Sequence, residues 1–161
     1  MENILELNRV SKNYPSFSLE DVNFSVPSGS IMGFIGENGA GKTTTIKLIL
    51  NEIRRDAGEI KIFGKDNVKN ELEVKQQIGT VFDESYFYGG LTSDDIGTIL
   101  RNIYKSWDQP LYEKYQKDFE LPKGKKISKY SKGMKMKLNI ASALAHPPRL
   151  LILDEATSGL D

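Results

Sequence analysis

This chain of 161 residues contains no cysteine. Disulfides and thiol chemistry are thereby excluded, and the composition fits a reducing compartment. No apolar run comes near the roughly 20 residues that cross a bilayer. The chain is therefore expected to stay out of the membrane by itself, which leaves a membrane-bound partner open. Net charge is missing too: 22 lysines and arginines offset 22 aspartates and glutamates, and the pI is near 6.6. Nothing in that balance asks for nucleic acid or an anionic lipid surface. There are no internal repeats and no low-complexity linker. The opening Met1-Glu2-Asn3-Ile4-Leu5-Glu6 alternates acidic with apolar residues, unlike a signal peptide. Histidine occurs once, at His146. What is present is enough chain for one domain with a real core.

Gly36-Glu37-Asn38-Gly39-Ala40-Gly41-Lys42-Thr43 reads G-x-x-x-x-G-K-T, the pattern of a phosphate-cradling loop. Its context fits. The apolar Ile31-Met32-Gly33-Phe34-Ile35 before it reads as a buried strand, and Thr44 to Leu50 after it carries Ile46, Ile49 and Leu50 at helical spacing. Glycines at 36, 39 and 41 let the backbone adopt φ values that other residues avoid and approach a ligand closely. The loop's N–H groups then face inward at a helix N-terminus, a ready anion site. Lys42 supplies a point charge for the β- and γ-phosphates, and the Thr43 hydroxyl suits Mg²⁺, which prefers oxygen ligands.

Along the chain, Leu5 and Leu7 alternate with Glu6 and Asn8, as in a half-buried strand. Ser11 to Ser16 is polar, holds Pro15 and reads as a turn or loop containing Tyr14. Phe17 to Val26 reads as a second strand with Val22, Phe24 and Val26 on one face, and Pro27-Ser28-Gly29-Ser30 as a tight turn. After the first helix come a turn at Arg55 to Gly58, a strand from Glu59 to Phe63 closed by Gly64-Lys65-Asp66, a weakly helical Val68 to Gln77, and a strand at Ile78 to Phe82. From Asp83 to about His146 the pattern is helical. Ile96, Ile99, Leu100, Ile103 and Tyr104 form one stripe, with Thr92 or Ser93 placed to cap it. Leu111, Tyr112, Tyr115 and Phe119 form a second. Met134, Leu138, Ala141 and Ala145 form a third, stopped by Pro147-Pro148. Leu150 to Leu153 is a continuous apolar run, as expected of a strand buried on both faces. It ends in Asp154-Glu155, where the first carboxylate can hold Mg²⁺ and the second can polarise a water.

Together these motifs resemble the ATP-binding cassette (ABC) ATPases, and the resemblance covers nearly the whole chain. Leu150 to Thr157 looks like the Walker B segment with its adjoining glutamate, and Ser158-Gly159-Leu160-Asp161 like the D-loop. Tyr130-Ser131-Lys132-Gly133-Met134 stands where the family carries L-S-G-G-Q. Tyr14 stands where it places an aromatic that stacks on adenine. Three departures matter. Lys132 and Met134 replace a glycine and a glutamine of the signature. Ser131 and Gly133 remain, a hydroxyl and a close-approach N–H that can bind a γ-phosphate. Lys132 either adds charge there or belongs to a solvated basic face. At the Q-loop, Asp83 and Glu84 stand in place of glutamine, and Asp83 either ligates Mg²⁺ or falls short of it. The family's histidine after the D-loop is absent; His146 precedes Walker B and reads as a helix C-terminal residue. The end at Asp161 reads as a truncation. The signature and the acidic Q-loop look most like bacterial exporter cassettes of the drug and lantibiotic-resistance type.

The implied fold is α/β, a P-loop NTPase core with a mixed sheet and flanking helices. An antiparallel β subdomain opens it and a helical subdomain is inserted. Residues 1–82 and 147–161 form the core with the β subdomain, and 83–146 the Q-loop and helical subdomain. The resemblance implies ATP and Mg²⁺ as cofactors. Gly36, Asn38, Gly39, Ala40, Gly41, Lys42, Thr43 and Thr44 would hold the phosphates, with Lys42 also acting in transfer. Thr43, Asp154 and Asp83 are the metal candidates, and Glu155 is the general base. Ser131 and Gly133 would serve the nucleotide of a second, head-to-tail cassette, with Asp161 at the seam. The other partner would be an integral membrane permease subunit, reached through the Q-loop region, where Phe87 and Tyr88 are either coupling residues or buried in the helical subdomain. No nucleic acid is expected, and the location is cytoplasmic, peripheral on the membrane. The alternatives are a soluble ABC-type ATPase acting on ribosomes or DNA, and a truncated cassette that binds ATP but turns it over poorly.

Overall fold

Alternating apolar and polar residues build a long antiparallel hairpin at the start of the chain. In the computed structural model, which describes residues 2–37 and 39–154, β1 (Asn3–Tyr14) pairs with β2 (Phe17–Pro27) on one side. On the other it pairs with β3 (Ala57–Ile62), which carries the short β4 (Lys65–Asp66). The sheet order is β2-β1-β3-β4. Leu5 lies opposite Val26 and Ile62, and Leu7 opposite Phe24 and Ile60. Directly paired residues share a face, so these rows form one apolar surface, and Leu5, Leu7, Val26, Ile60 and Ile62 are buried. Arg9 sits at a register shift with φ 50°. Its carbonyl passes so close to Gly58 that an added Cβ would lie 2.3 Å from the oxygen, and Gly58 itself has φ 85°.

Two expectations change here. Residues 11–14 continue β1, and only Pro15 and Ser16 turn. The Asp56 carboxylate pins the strand by accepting from the Asn13 N–H (2.8 Å) and Lys12 Nζ (3.0 Å). Polar composition marked exposure there, and the ladder to β2 supplied the regularity. Ala57 and Gly58 likewise belong to β3 and not to a turn.

Helix α1 (Lys42–Ile49) buries Thr45, Ile46, Leu48 and Ile49, as its spacing predicts. Both of its ends are held to the sheet. At the N-terminus Gly41 adopts φ 91°, and a Cβ there would meet Leu19 Cδ1 at 2.8 Å and Phe17 Cζ at 3.1 Å. At the C-terminus the buried Asn67, just past β4, donates from Nδ2 to the carbonyls of Leu48 (2.8 Å) and Ile49 (2.9 Å). Helix α2 (Glu71–Lys75) follows, and the first compact unit closes at residue 75.

The second unit, residues 76–161, holds a parallel pair, β5 (Ile78–Phe82) and β6 (Leu150–Asp154), in register from Ile78 opposite Leu150 to Phe82 opposite Asp154. Three α-helices and a 3₁₀ turn at Ile127–Lys129 separate them. α3 (Ser93–Ile103) opens with a capping box between Thr92 and Asp95. α4 (Gln109–Asp118) is capped by Asp108, which accepts from the Leu111 N–H at 2.9 Å. α5 (Lys132–Leu144) is capped by Ser131, which accepts from the Met134 N–H at 3.2 Å. Ile96, Tyr112, Leu121, Ile127, Leu138 and Ala141 are among the residues that pack into one cluster. The fully buried Tyr112 hydroxyl donates to the Ser93 carbonyl at 2.7 Å. Ile99 and Ile103 of the first stripe face solvent (42% and 53% exposed), so that stripe is buried along one edge only. Helix α5 packs on β5 through Val81, Met136 and Ala143, and Asn139 Nδ2 donates to the Phe82 carbonyl at 3.4 Å.

Two apolar runs depart from expectation. Ile31 to Ile35 forms no strand: Ile31 and Ile35 are 102% and 95% exposed, while Met32 and Phe34 alternate with them and are half-covered. Phe34 rests against Phe24 at 5.5 Å between ring centroids. The two-residue period is there, but no described strand pairs with it; a strand is defined by its neighbours' hydrogen bonds and not by its own side chains. The run Leu150 to Leu153 is a strand, yet Leu151 and Leu153 are 40% and 57% exposed on one face. Burial of both faces needs elements on both sides, and β5 is the one described strand beside it.

Candidate functional site

The glycine loop belongs to the first unit. Its backbone turns back on itself: the Ala40 N–H donates to the Glu37 carbonyl at 3.1 Å, Gly39 takes φ 86°, and Gly41 is the left-handed N-cap of α1. Lys42, the first helical residue, folds its ammonium onto the Gly36 carbonyl. The first turn is locked from below, where Thr45 donates to the Gly41 carbonyl through both N–H and Oγ1 (each 2.8 Å). No side-chain cap and no acid occupy this N-terminus, so its free N–H groups and Lys42 concentrate positive potential where an anion can seat. Thr43 is exposed and Thr44 half-buried. Asn38 lies outside the described residues.

Tyr14 closes β1 at the hairpin end, opposite Phe17. Because Phe17 is the residue that Gly41 approaches, the hairpin end and the head of α1 are neighbours in the first unit. The Tyr14 ring is 41% exposed, with Lys12 Nζ 5.5 Å from its centroid. Residue spacing gave no signal for Phe17 and Leu19 as the wall of the loop, since that contact is long-range.

The second unit gathers the other candidates. The parallel register sets Asp154, half-buried at the end of β6, opposite Phe82, so Asp83 emerges from the same carboxyl end of the pair. The Asp83 carboxylate receives Lys132 Nζ at 2.9 Å, which brings the head of α5, with Ser131 and Gly133, to that end as well. Ser131 Oγ is engaged as the helix cap. Phe87 packs on the helical cluster, whereas Tyr88 is 75% exposed. Glu155, Thr157 and the D-loop residues through Asp161 lie outside the described residues.

His146 sits where α5 has ended, 1% exposed and stacked on Tyr104 at 3.7 Å between ring centroids. Burial lowers its pKa. It is a packing residue and not a dipole-neutralising cation.

The donor set suits Mg²⁺. Among the described residues no group of three or more His, Cys, Asp or Glu forms a cage for a metal. Mg²⁺ needs none, because it binds through one or two carboxylates with phosphate and water; each unit offers oxygen donors of that kind, the Thr43 hydroxyl in the first and the Asp154 carboxylate in the second. Also among the described residues, no helix is long and apolar enough to cross a membrane.

Comparison with known proteins places the chain by family and fold. The family model described as ABC transporter matches residues 19–158. The chain is 39% identical over 164 residues to a bacitracin transport ATP-binding protein of Bacillus licheniformis, covering 100% of this chain and 54% of that protein. It is 35% identical over 164 residues to a bacitracin transport ATP-binding protein of Enterococcus faecalis, covering 100% of this chain and 53% of that one. A solved structure of an ATP-binding subunit of an ABC transporter superposes with a TM-score of 0.87 at 31% identity, over 97% of this chain and 68% of its own. The chain spans about half the length of the curated relatives it matches.

Proposed function

The chain belongs to the ABC transporter family, and from that premise we propose that it binds and hydrolyses ATP to power export through a separate transmembrane subunit. The observation that carries this reading is the cup in the first unit: a glycine-capped helix start, without acid or side-chain cap, closed by Lys42 on the Gly36 carbonyl. The relatives named for bacitracin transport make bacitracin, or a compound like it, the first cargo to try. Nothing in the structure or the relatives favours action on ribosomes or DNA.

In this reading Lys42 leaves the Gly36 carbonyl for the β- and γ-phosphates, so an anion replaces a neutral acceptor and the hydrogen bond becomes charge-assisted. The backbone N–H groups of Gly39, Gly41 and Thr44 surround the phosphates, with Asn38 and Ala40 completing the loop, and Tyr14 stacks on the base. Thr43 and Asp154 would hold Mg²⁺, which would neutralise phosphate charge when bound. Glu155 orients or deprotonates the attacking water; phosphoryl transfer depends on such positioning more than on covalent help. Ser131 and Gly133 contact the nucleotide of a second, head-to-tail cassette. Residues 1–82 and 147–161 act as the nucleotide core, and 83–146 as the segment facing the permease, at the cytoplasmic surface of the membrane.

Glu155→Gln in the full-length protein tests the reading. ATP should still bind while turnover falls by roughly a hundredfold or more, the size of a general-base contribution. Turnover near the wild-type rate removes Glu155 as the base.

A further inference from the structure

Two of the residues that depart from the family pattern, Asp83 in the Q-loop and Lys132 in the signature, are bound to each other, Lys132 Nζ to Asp83 Oδ1, at 2.9 Å. Lys132 stands at the wrong end of a helix for a cation, since the first turn carries positive potential. Helix α3 opens with Asp94 and Asp95, whereas α5 has no acid in its first turn. From Leu121 to Leu153 the sequence holds eight lysines and arginines and no acid. Asp83 is the carboxylate that α5 borrows from across the fold. Beneath the pair the junction is fixed: Asn139 ties α5 to the Phe82 carbonyl, and Val81, Met136 and Ala143 pack together. The pair itself is open to solvent, with side chains 58% and 33% exposed. Such a contact adds little to folding and exchanges readily.

We propose that Asp83 is a positioning residue whose carboxylate holds Lys132 in the resting chain and yields it to the terminal phosphate of a nucleotide when a second cassette closes over Ser131 and Gly133. The inference rests on the head-to-tail ATP sandwich proposed above. A carboxylate and a phosphate compete for one ammonium, and no covalent bond changes. The exchange draws Lys132 away from Asp83, at the start of the segment that follows β5, so the event at the signature is felt at the Q-loop.

The test is the ATP concentration for half-maximal ATP-driven association of the full-length protein, held in its ATP state by Glu155→Gln and followed by analytical ultracentrifugation. Asp83→Asn should lower that concentration about two- to fivefold, the size of an exposed ion pair. Lys132→Met should raise it, and adding Asp83→Asn to Lys132→Met should change nothing further. The charge swap Asp83→Lys with Lys132→Asp restores a purely structural tie but leaves an acid facing the phosphate, so association should stay impaired. Additive effects of the two single variants, or full rescue by the swap, overturn the proposal. So does a rise in the Mg²⁺ requirement of Asp83→Asn, which makes Asp83 a metal ligand. If every chain binds ATP and none associates, the sandwich fails too; association indifferent to both residues overturns this proposal alone.

Discussion

Asn67→Ala tests how the phosphate-loop helix is held in place. Asn67 is 2% exposed and supplies the donor for two carbonyls at the end of α1, Leu48 and Ile49, at 2.8 and 2.9 Å. The last carbonyls of a helix have no partner within it, and α1 has only eight residues. Removing the amide takes both bonds away; the Leu48 carbonyl keeps the Asn51 N–H at 3.2 Å, and the Ile49 carbonyl is the one stripped. At about 1 kcal/mol per lost bond, plus the cost of leaving one buried acceptor dry, the loss comes to roughly 2–4 kcal/mol. Arg55 also loses an acceptor in Asn67 Oδ1 (2.6 Å) but keeps Asp66 (2.7 Å) and the Gly58 carbonyl (3.0 Å), so it adds little. For a chain of this size the midpoint of thermal unfolding should drop by roughly 4–16 °C, read by circular dichroism and checked by urea titration. Asn67→Asp keeps the volume, loses the donors and sets a carboxylate against two carbonyls, so it should be at least as damaging. A loss under about 0.5 kcal/mol for Asn67→Ala, or an Asn67→Asp protein as stable as the parent, would refute the argument, because a buried carbonyl left without a donor cannot be that cheap.

Three further outcomes follow from the same structure. Gly58→Ala places a Cβ 2.3 Å from the Arg9 carbonyl oxygen at φ 85°, and should cost at least about 2 kcal/mol in urea titration; a neutral result means the β1–β3 contact is looser than described. Tyr112→Phe removes the buried hydroxyl that donates to the Ser93 carbonyl at 2.7 Å, and should cost about 1–2 kcal/mol by thermal unfolding, with no change counting against the bond. Burial lowers the pKa of His146, so the unfolded chain takes up that proton first. Stability is therefore complete above about pH 6.5 and falls as the pH drops below it, whereas carboxylate effects begin below about pH 5. The unfolding midpoint should decline between pH 7 and 5, and His146→Gln should flatten the decline; a wild-type midpoint constant over that range contradicts the assignment.

Local chemistry was legible in the sequence wherever the signal was itself local. Thr92 caps α3, Pro147 and Pro148 follow the end of α5, and the alternation of Leu5 and Leu7 with polar neighbours marks β1, because each depends on residues within a few positions. The glycine loop was legible for the same reason. What stayed hidden depends on partners far along the chain. Ile31 to Ile35 has a strand's composition, but no described strand supplies its hydrogen bonds. The contact of Phe17 and Leu19 with Gly41, the Asn67 clasp on α1 and the Asp83–Lys132 pair all join distant residues whose side chains carry no periodic signature. Polar neighbours and Pro15 make the segment around Tyr14 read as a loop, whereas the ladder to β2 makes Tyr14 a strand end.

Calorimetric titration of ATP into the wild-type chain and into Lys42→Ala reaches the central claim most directly. The account predicts saturable binding to the wild type and a loss of at least tenfold in affinity for Lys42→Ala, equivalent to about 1.4 kcal/mol for the charge-assisted phosphate contact. Equal affinities, or no binding to the wild type at concentrations where the variant is also silent, would contradict it.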